Sequence, residues 1–117
     1  MMFNYKEIPE EEVEFIVIAT EDELPNGERI FLEIDGQPIA VFNIAGKFFA
    51  IADVCSHDDG PVAEGELHDS EIECPRHGAR FDLQTGKALS LPAVVDIPAY
   101  PVKVDDGEIL LGMPIEN

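Results

Sequence analysis

Residues 28–52 read ERIFLEIDGQPIAVFNIAGKFFAIA, and they decide the fold class. In Glu28–Asp35, Ile30, Leu32 and Ile34 fall on one side of an extended chain, the period of a strand with one covered face. Pro38–Ile44 and Lys47–Ala52 follow as short apolar runs, separated by Asp35-Gly36 and Ala45-Gly46. Asn26-Gly27, just upstream, is a hairpin or turn signal of the same kind as Asp35-Gly36. Moving outward, the spacing predicts strands at Glu14–Thr20, Glu71–Cys74, Arg80–Leu83, Val94–Val104 and Glu108–Leu111, with further turns at Thr85-Gly86 and Asp106-Gly107. Pro92, Pro98 and Pro101 make the strand at Val94–Val104 an edge or an interrupted one. Helix is confined to single turns at the acidic clusters Glu10–Glu12 and Glu21–Glu23. Short strands with turns every 8–12 residues predict an all-β antiparallel sandwich or barrel.

The length of 117 residues fits one domain, 1–117, with a single core. Hydrophobic residues make up 45% of the chain and seven are Phe, too many for a chain that never packs. A net charge of −18 argues against nucleic acid and anionic membranes, both of which are bound through cationic side chains. It favours a basic partner found by electrostatic steering. Two cysteines are too few for a disulfide framework and point to a reducing compartment. Met1–Glu12 shows no apolar signal region, and no run approaches the ~20 apolar residues of a membrane span. The expected location is the cytoplasm.

Strand alternation stops twice, at Asp53–Gly65 and at Pro75–Arg80. These two stretches hold both cysteines and two of the three histidines: Cys55-Ser56-His57, then sixteen residues, then Cys74-Pro75-Arg76-His77. Each loop offers one soft thiolate and one imidazole, a ligand set suited to zinc or to an iron–sulfur centre. Rigid sheets commonly present binding residues on such loops. Incidental placement is a poor account of so complete a segregation.

The arrangement resembles the Rieske iron–sulfur proteins, and within them the small Rieske-type ferredoxins. The matching residues are Cys55-Ser56-His57, Gly60, Pro61, Cys74-Pro75-Arg76-His77-Gly78, Phe81-Asp82, Thr85-Gly86-Lys87 and Pro92, and the likeness runs from about Phe15 to Gly112. The resemblance implies one 2Fe-2S cluster, with Cys55 and Cys74 on the inner iron and His57 and His77 on the outer, more exposed one. It also implies a small cluster-binding subdomain of two loops, approximately residues 53–82, inserted into a larger antiparallel body.

Such a centre is a one-electron relay, because nothing in the ligand set activates water or a substrate. Two ferric ions, two sulfides and two thiolates sum to zero, so one electron brings the centre to a single negative charge. Four thiolates would make the same step start from two negative charges, which is harder at low dielectric. Imidazole ligation therefore raises the potential to about −150 to +300 mV, against about −400 mV for the four-cysteine plant type. The high-potential branch of the family carries a disulfide between the loops, and a serine and a tyrosine hydroxyl against the cluster sulfurs. This chain has no third cysteine; Arg76 occupies one of the corresponding positions, and Ala79 and Phe81 replace the hydroxyls.

Other residues read more simply. His68 is expected to be a solvated turn histidine, and Asp58, Asp59 and Glu64 surface acids near a docking face. Arg76 and Arg80, two of seven basic residues, are expected to pair with local carboxylates and hold the second loop, the alternative being that they mark a docking rim. Gly60, Gly78 and Gly86 serve backbone geometry, Pro61 and Pro92 stiffen loops, and Phe48, Phe49 and Phe81 belong to the core. The resemblance implies an electron carrier between a flavoprotein reductase and a terminal oxygenase, meeting both transiently through basic faces. With no room for a mononuclear-iron domain, the chain is expected to be the carrier and not a catalyst by itself. Two alternatives are a Rieske-like small subunit of a nitrite reductase and, from another class, a structural zinc module for protein contact. Against zinc, C-x-H is tighter than the usual clamps.

With no hydroxyl at residues 79 and 81 to stabilise the reduced form, the expected midpoint is nearer about −150 mV than about +300 mV. Protein-film voltammetry near neutral pH checks this, and a midpoint above about +100 mV would contradict it.

Overall fold

The computed structural model describes residues 12–56, 58 and 60–115. Among the described residues, ten strands form three antiparallel sheets. Strands β1 (Val13–Thr20), β9 (Val102–Asp105) and β10 (Glu108–Pro114) form one in the order β1-β10-β9. Strands β2 (Arg29–Ile34), β3 (Gln37–Ile44), β4 (Lys47–Ala52) and β8 (Ala99–Tyr100) form the second in the order β2-β3-β4-β8. The third is β5 (Leu67–His68), β6 (Glu71–Glu73) and β7 (Arg80–Asp82), inserted between β4 and β8.

The 28–52 stretch folds as expected into two hairpins, with Ile34 opposite Gln37 and Ile44 opposite Lys47. Asp35 and Ala45 take left-handed backbone at the two turns, each followed by a glycine with positive φ, as tight primed turns require. In β2, Ile30, Leu32 and Ile34 face the core while Phe31 is exposed. Strand β3 lies between β2 and β4 and is buried on both faces, which explains its unbroken apolar run. Ile39 and Val41, with Ala50 and Ala52 of β4, pack toward Ile109 and Leu111 of the β1-β10-β9 sheet. Ala40 and Phe42, with Phe49 and Ile51, pack on the opposite side among Cys55, Val62, Cys74, Phe81 and Ile97. The two-loop insert is thus one cover of the central sheet.

The sequence expectations need two corrections here. Val94–Val104 is not one strand: residues 94–98 are irregular, and β8 and β9 are separated by Pro101 and belong to different sheets. The prolines divide this segment instead of merely loosening it. Leu67–His68 is a strand, so His68 is not a turn residue; it is partly buried, with Nε2 3.0 Å from Oε1 of Glu73. Of the two expected helical turns, Glu21–Glu23 is a 3-10 turn, while Glu10 and Glu11 lie outside the described residues.

Gly86 has φ +78°, and a Cβ there would lie 1.9 Å from the Ile97 carbonyl oxygen. Gly46 has φ +86° with open space around it. Urea unfolding should show Gly46→Ala costing about 1–2 kcal/mol, the left-handed backbone penalty. Gly86→Ala should cost about 3 kcal/mol or more, because backbone must also move. Equal costs at the two positions would contradict this packing.

Candidate metal centre

The first loop leaves β4 at Asp53, whose N–H donates to the Pro38 carbonyl at 2.9 Å. The Asp53 carboxylate then folds the chain back, with Oδ1 accepting the N–H groups of Val62 at 2.8 Å and Ala63 at 2.7 Å. Arg29 on β2 donates Nη1 to the carbonyls of Ala63 and Gly65, at 2.7 and 2.8 Å. These contacts anchor the base of the loop to the central sheet. The second loop turns between β6 and β7.

The two loops repeat one backbone device. The Cys55 N–H donates to the Gly60 carbonyl at 2.6 Å, and the Cys74 N–H to the Ala79 carbonyl at 2.7 Å, five residues on in each case. Each turn closes again at its cysteine carbonyl, which accepts from Asp58 N–H in the first loop and Gly78 N–H in the second. Gly78 has φ +75°, which favours glycine there. Cys55 and Cys74 are 0% and 1% exposed and form no disulfide, whereas the His77 side chain is 51% exposed. Two thiols therefore lie at the floor, in contact with Val62, Ala63, Ala79 and Phe81, and an imidazole lies at the rim. His57, the remaining expected ligand, and Asp59 lie outside the described residues. Among the described residues no three Cys, His, Asp or Glu side chains converge as a metal site by themselves. The donor chemistry fits the 2Fe-2S group: soft thiols in an apolar floor, with an imidazole toward solvent.

Asp58 is not a plain surface acid. Arg76 grips it with Nε on Oδ2 at 2.6 Å and Nη2 on Oδ1 at 2.8 Å, joining the first loop to the second. That hydrogen bond, helped by the Gly60 N–H, holds the carboxyl well below the usual carboxylate range. The same bond pushes the Arg76 guanidinium further up, and the charges of Cys74, Asp58 and Cys55 add to it. Arg80 lies near Glu71 and Glu73, at 3.6 and 3.5 Å, so both arginines pair with carboxylates as expected. Glu64 is exposed, as expected. Phe49 and Phe81 are core, while Phe48 is partly buried.

Sequence reasoning missed Arg29 and Asp53 as loop anchors, and missed the third segment beside the site, residues 88–98. There Ser56 Oγ donates to the Val95 carbonyl, and Ser90 Oγ accepts the Arg80 N–H at 3.0 Å. The Leu91-Pro92 bond in this segment is cis. An aspartate two residues before the first motif cysteine was the available signal for Asp53.

The family model for the Rieske [2Fe-2S] domain matches residues 14–101. The 3-phenylpropionate/cinnamic acid dioxygenase ferredoxin subunit of Escherichia coli K12 is 48% identical over 94 residues, covering 79% of this chain and 87% of that protein. Among solved structures, the ferredoxin of carbazole 1,9a-dioxygenase from Nocardioides aromaticivorans IC177 superposes with TM-score 0.77 at 38% identity, covering 83% of this chain and 95% of that one. A complex of reduced oxygenase and oxidized ferredoxin in carbazole 1,9a-dioxygenase gives TM-score 0.77 at 30% identity, covering 83% and 91%.

Asp53 tests the anchoring of the first loop. Asp53→Ala leaves the N–H groups of the buried residues Val62 and Ala63 without their acceptor and should destabilise the protein by about 2–3 kcal/mol. Asp53→Asn keeps an acceptor oxygen in place and should cost about 1 kcal/mol or less. Chemical unfolding of both variants checks this, and an Asp53→Ala protein as stable as the parent would refute the anchoring role.

Proposed function

We propose, from the premise that this chain belongs to the Rieske [2Fe-2S] domain family, that it carries single electrons from a flavoprotein reductase to a terminal oxygenase. In this reading Cys55 and Cys74 hold the inner iron of one cluster, and His57 and His77 hold the outer iron. The observation that carries it is the pairing of two fully buried thiols with an exposed imidazole on two turns of matching backbone design. When bound, the cluster takes up and returns one electron.

The protein's own residues do the rest. The cysteines sit in an apolar floor lined by Val62, Ala63, Ala79 and Phe81, which excludes water from the inner side. His77 offers a conjugated edge to solvent, a way out for an electron. Ala79 and Phe81 bring no hydroxyl, which leaves the reduced form less stabilised and the potential low within the Rieske range. The 53–82 segment acts as the cluster-binding part of a single domain, 1–117.

The oxygenase as acceptor is supported by the relatives, one named as a dioxygenase ferredoxin subunit and one seen in complex with its oxygenase. The reductase is what the family resemblance implies, and basic faces on both partners are supported by the charge of −18, which suits fast, reversible encounters. Two cysteines, too few for a disulfide framework, support a reducing compartment, and we assign the protein to the cytoplasm.

Anaerobically purified protein should contain about two irons and two sulfides per chain. Stopped-flow reduction by a flavoprotein reductase should slow steeply as salt rises. A colourless protein holding one zinc and no sulfide would overturn the cluster assignment. Salt-independent reduction would overturn the steering role of the charge, and stable co-purification with a large sirohaem subunit would favour the nitrite reductase reading instead.

A further inference from the structure

We propose that Arg76 is a positioning residue that clamps the tip of the first loop to the second and so sets the spacing of the two halves of the metal centre. This inference rests on the two loops holding the cluster. Arg76 lies between Cys74 and His77, and all three guanidinium nitrogens reach the other loop. Nε and Nη2 form a fork on the Asp58 carboxylate, at 2.6 and 2.8 Å, and Nη1 donates to the Pro61 carbonyl at 2.7 Å. Asp58 is itself fixed in its turn, its Oδ1 accepting the Gly60 N–H at 3.0 Å. The guanidinium also fills the space above Gly60: a Cβ there would lie 2.8 Å from Nη2 and 2.9 Å from Cζ.

A fork on a carboxylate fixes orientation as well as distance, which a single ammonium contact does not. Because Asp58 lies three residues after Cys55 and Arg76 two after Cys74, the fork fixes each cysteine turn against the other. A non-covalent tie of this kind also holds in a reducing environment. The pair places one positive and one negative charge side by side, close to the buried thiols. Breaking the fork from either side should therefore open the loops equally, while the charge left behind differs in sign.

Four variants separate these effects: Arg76→Lys, Arg76→Gln, Asp58→Asn and Gly60→Ala. Two quantities are read on the anaerobically purified protein: the rate of loss of the cluster's visible absorbance to an iron chelator, and the midpoint potential. All four should lose the cluster several-fold faster than the parent. Arg76→Gln, which leaves a bare carboxylate, should lower the potential, and Asp58→Asn, which leaves a bare guanidinium, should raise it. Arg76→Lys and Gly60→Ala keep both charges and should leave the potential where it was. The double variant Asp58→Asn with Arg76→Gln should lose the cluster no faster than either single one. If the parent holds the cluster and Arg76→Lys and Arg76→Gln retain it as long as the parent does, the clamp is refuted. If the parent takes up no iron and sulfide, amide exchange at residues 58, 60 and 62 decides. Faster exchange in Arg76→Lys than in the parent upholds the clamp while overturning the cluster assignment, and equal exchange refutes the clamp.

Discussion

Strands β3 and β4 are buried on both faces, and a sheet buried on both faces needs a separate cover for each. The β1-β10-β9 sheet supplies one, packing Ile109 and Leu111 against Ile39 and Val41. The two irregular loops and the small β5-β6-β7 sheet supply the other, packing Cys55, Cys74, Val62 and Phe81 against Phe42 and Ile51. The part to which we assign the metal centre is therefore also the lid of a hydrophobic core. Its cysteines are placed by core packing, at close to interior density, and not by loop conformation alone. This accounts for how irregular backbone can hold two thiols at nearly zero exposure while leaving an imidazole at the surface.

Charge is used in two ways within this frame. A few carboxylates and guanidiniums act as fasteners: Asp53 and Arg29 tie the base of the first loop to the sheet, and Asp58 with Arg76 ties its tip to the second loop. The larger acidic surplus remains as a field around the molecule. The oxidised centre adds no net charge, since two thiolates cancel the sum of its irons and sulfides. The charge of −18 thus belongs to the protein and not to the cluster, as the proposed steering of partners requires.

Much of this was legible in the residues, for identifiable reasons. Alternation in β2 and the two turn dipeptides are local signals, and they place the hairpins to within a residue or so. The apolar run of β3 was read only as a strand; its burial on both faces depends on the sheet and loops that cover it, which nothing local specifies. The C-x-H and C-x-x-H pair was legible because soft ligands are rare in this chain. What stayed hidden depends on partners distant in sequence. His68 finds Glu73 only once β5 pairs with β6, and Asp58 ceases to be a plain surface acid only because Arg76 arrives from the other loop. The segment 94–98 carries strand-like residues but is committed elsewhere: the Val95 carbonyl accepts from Ser56 of the first loop, and Asp96 Oδ1 accepts the Ala88 N–H.

The central claim is that a single cluster is shared by the two loops, with thiolates inside and imidazoles outside. Pulsed electron paramagnetic resonance on the dithionite-reduced protein, grown with isotopically labelled histidine, tests it most directly. The account predicts two imidazole nitrogens coupled to the unpaired spin, with one coupling lost when His77 is replaced. A paramagnetic centre with no imidazole coupling, or no reducible centre at all in anaerobically prepared protein, would contradict it.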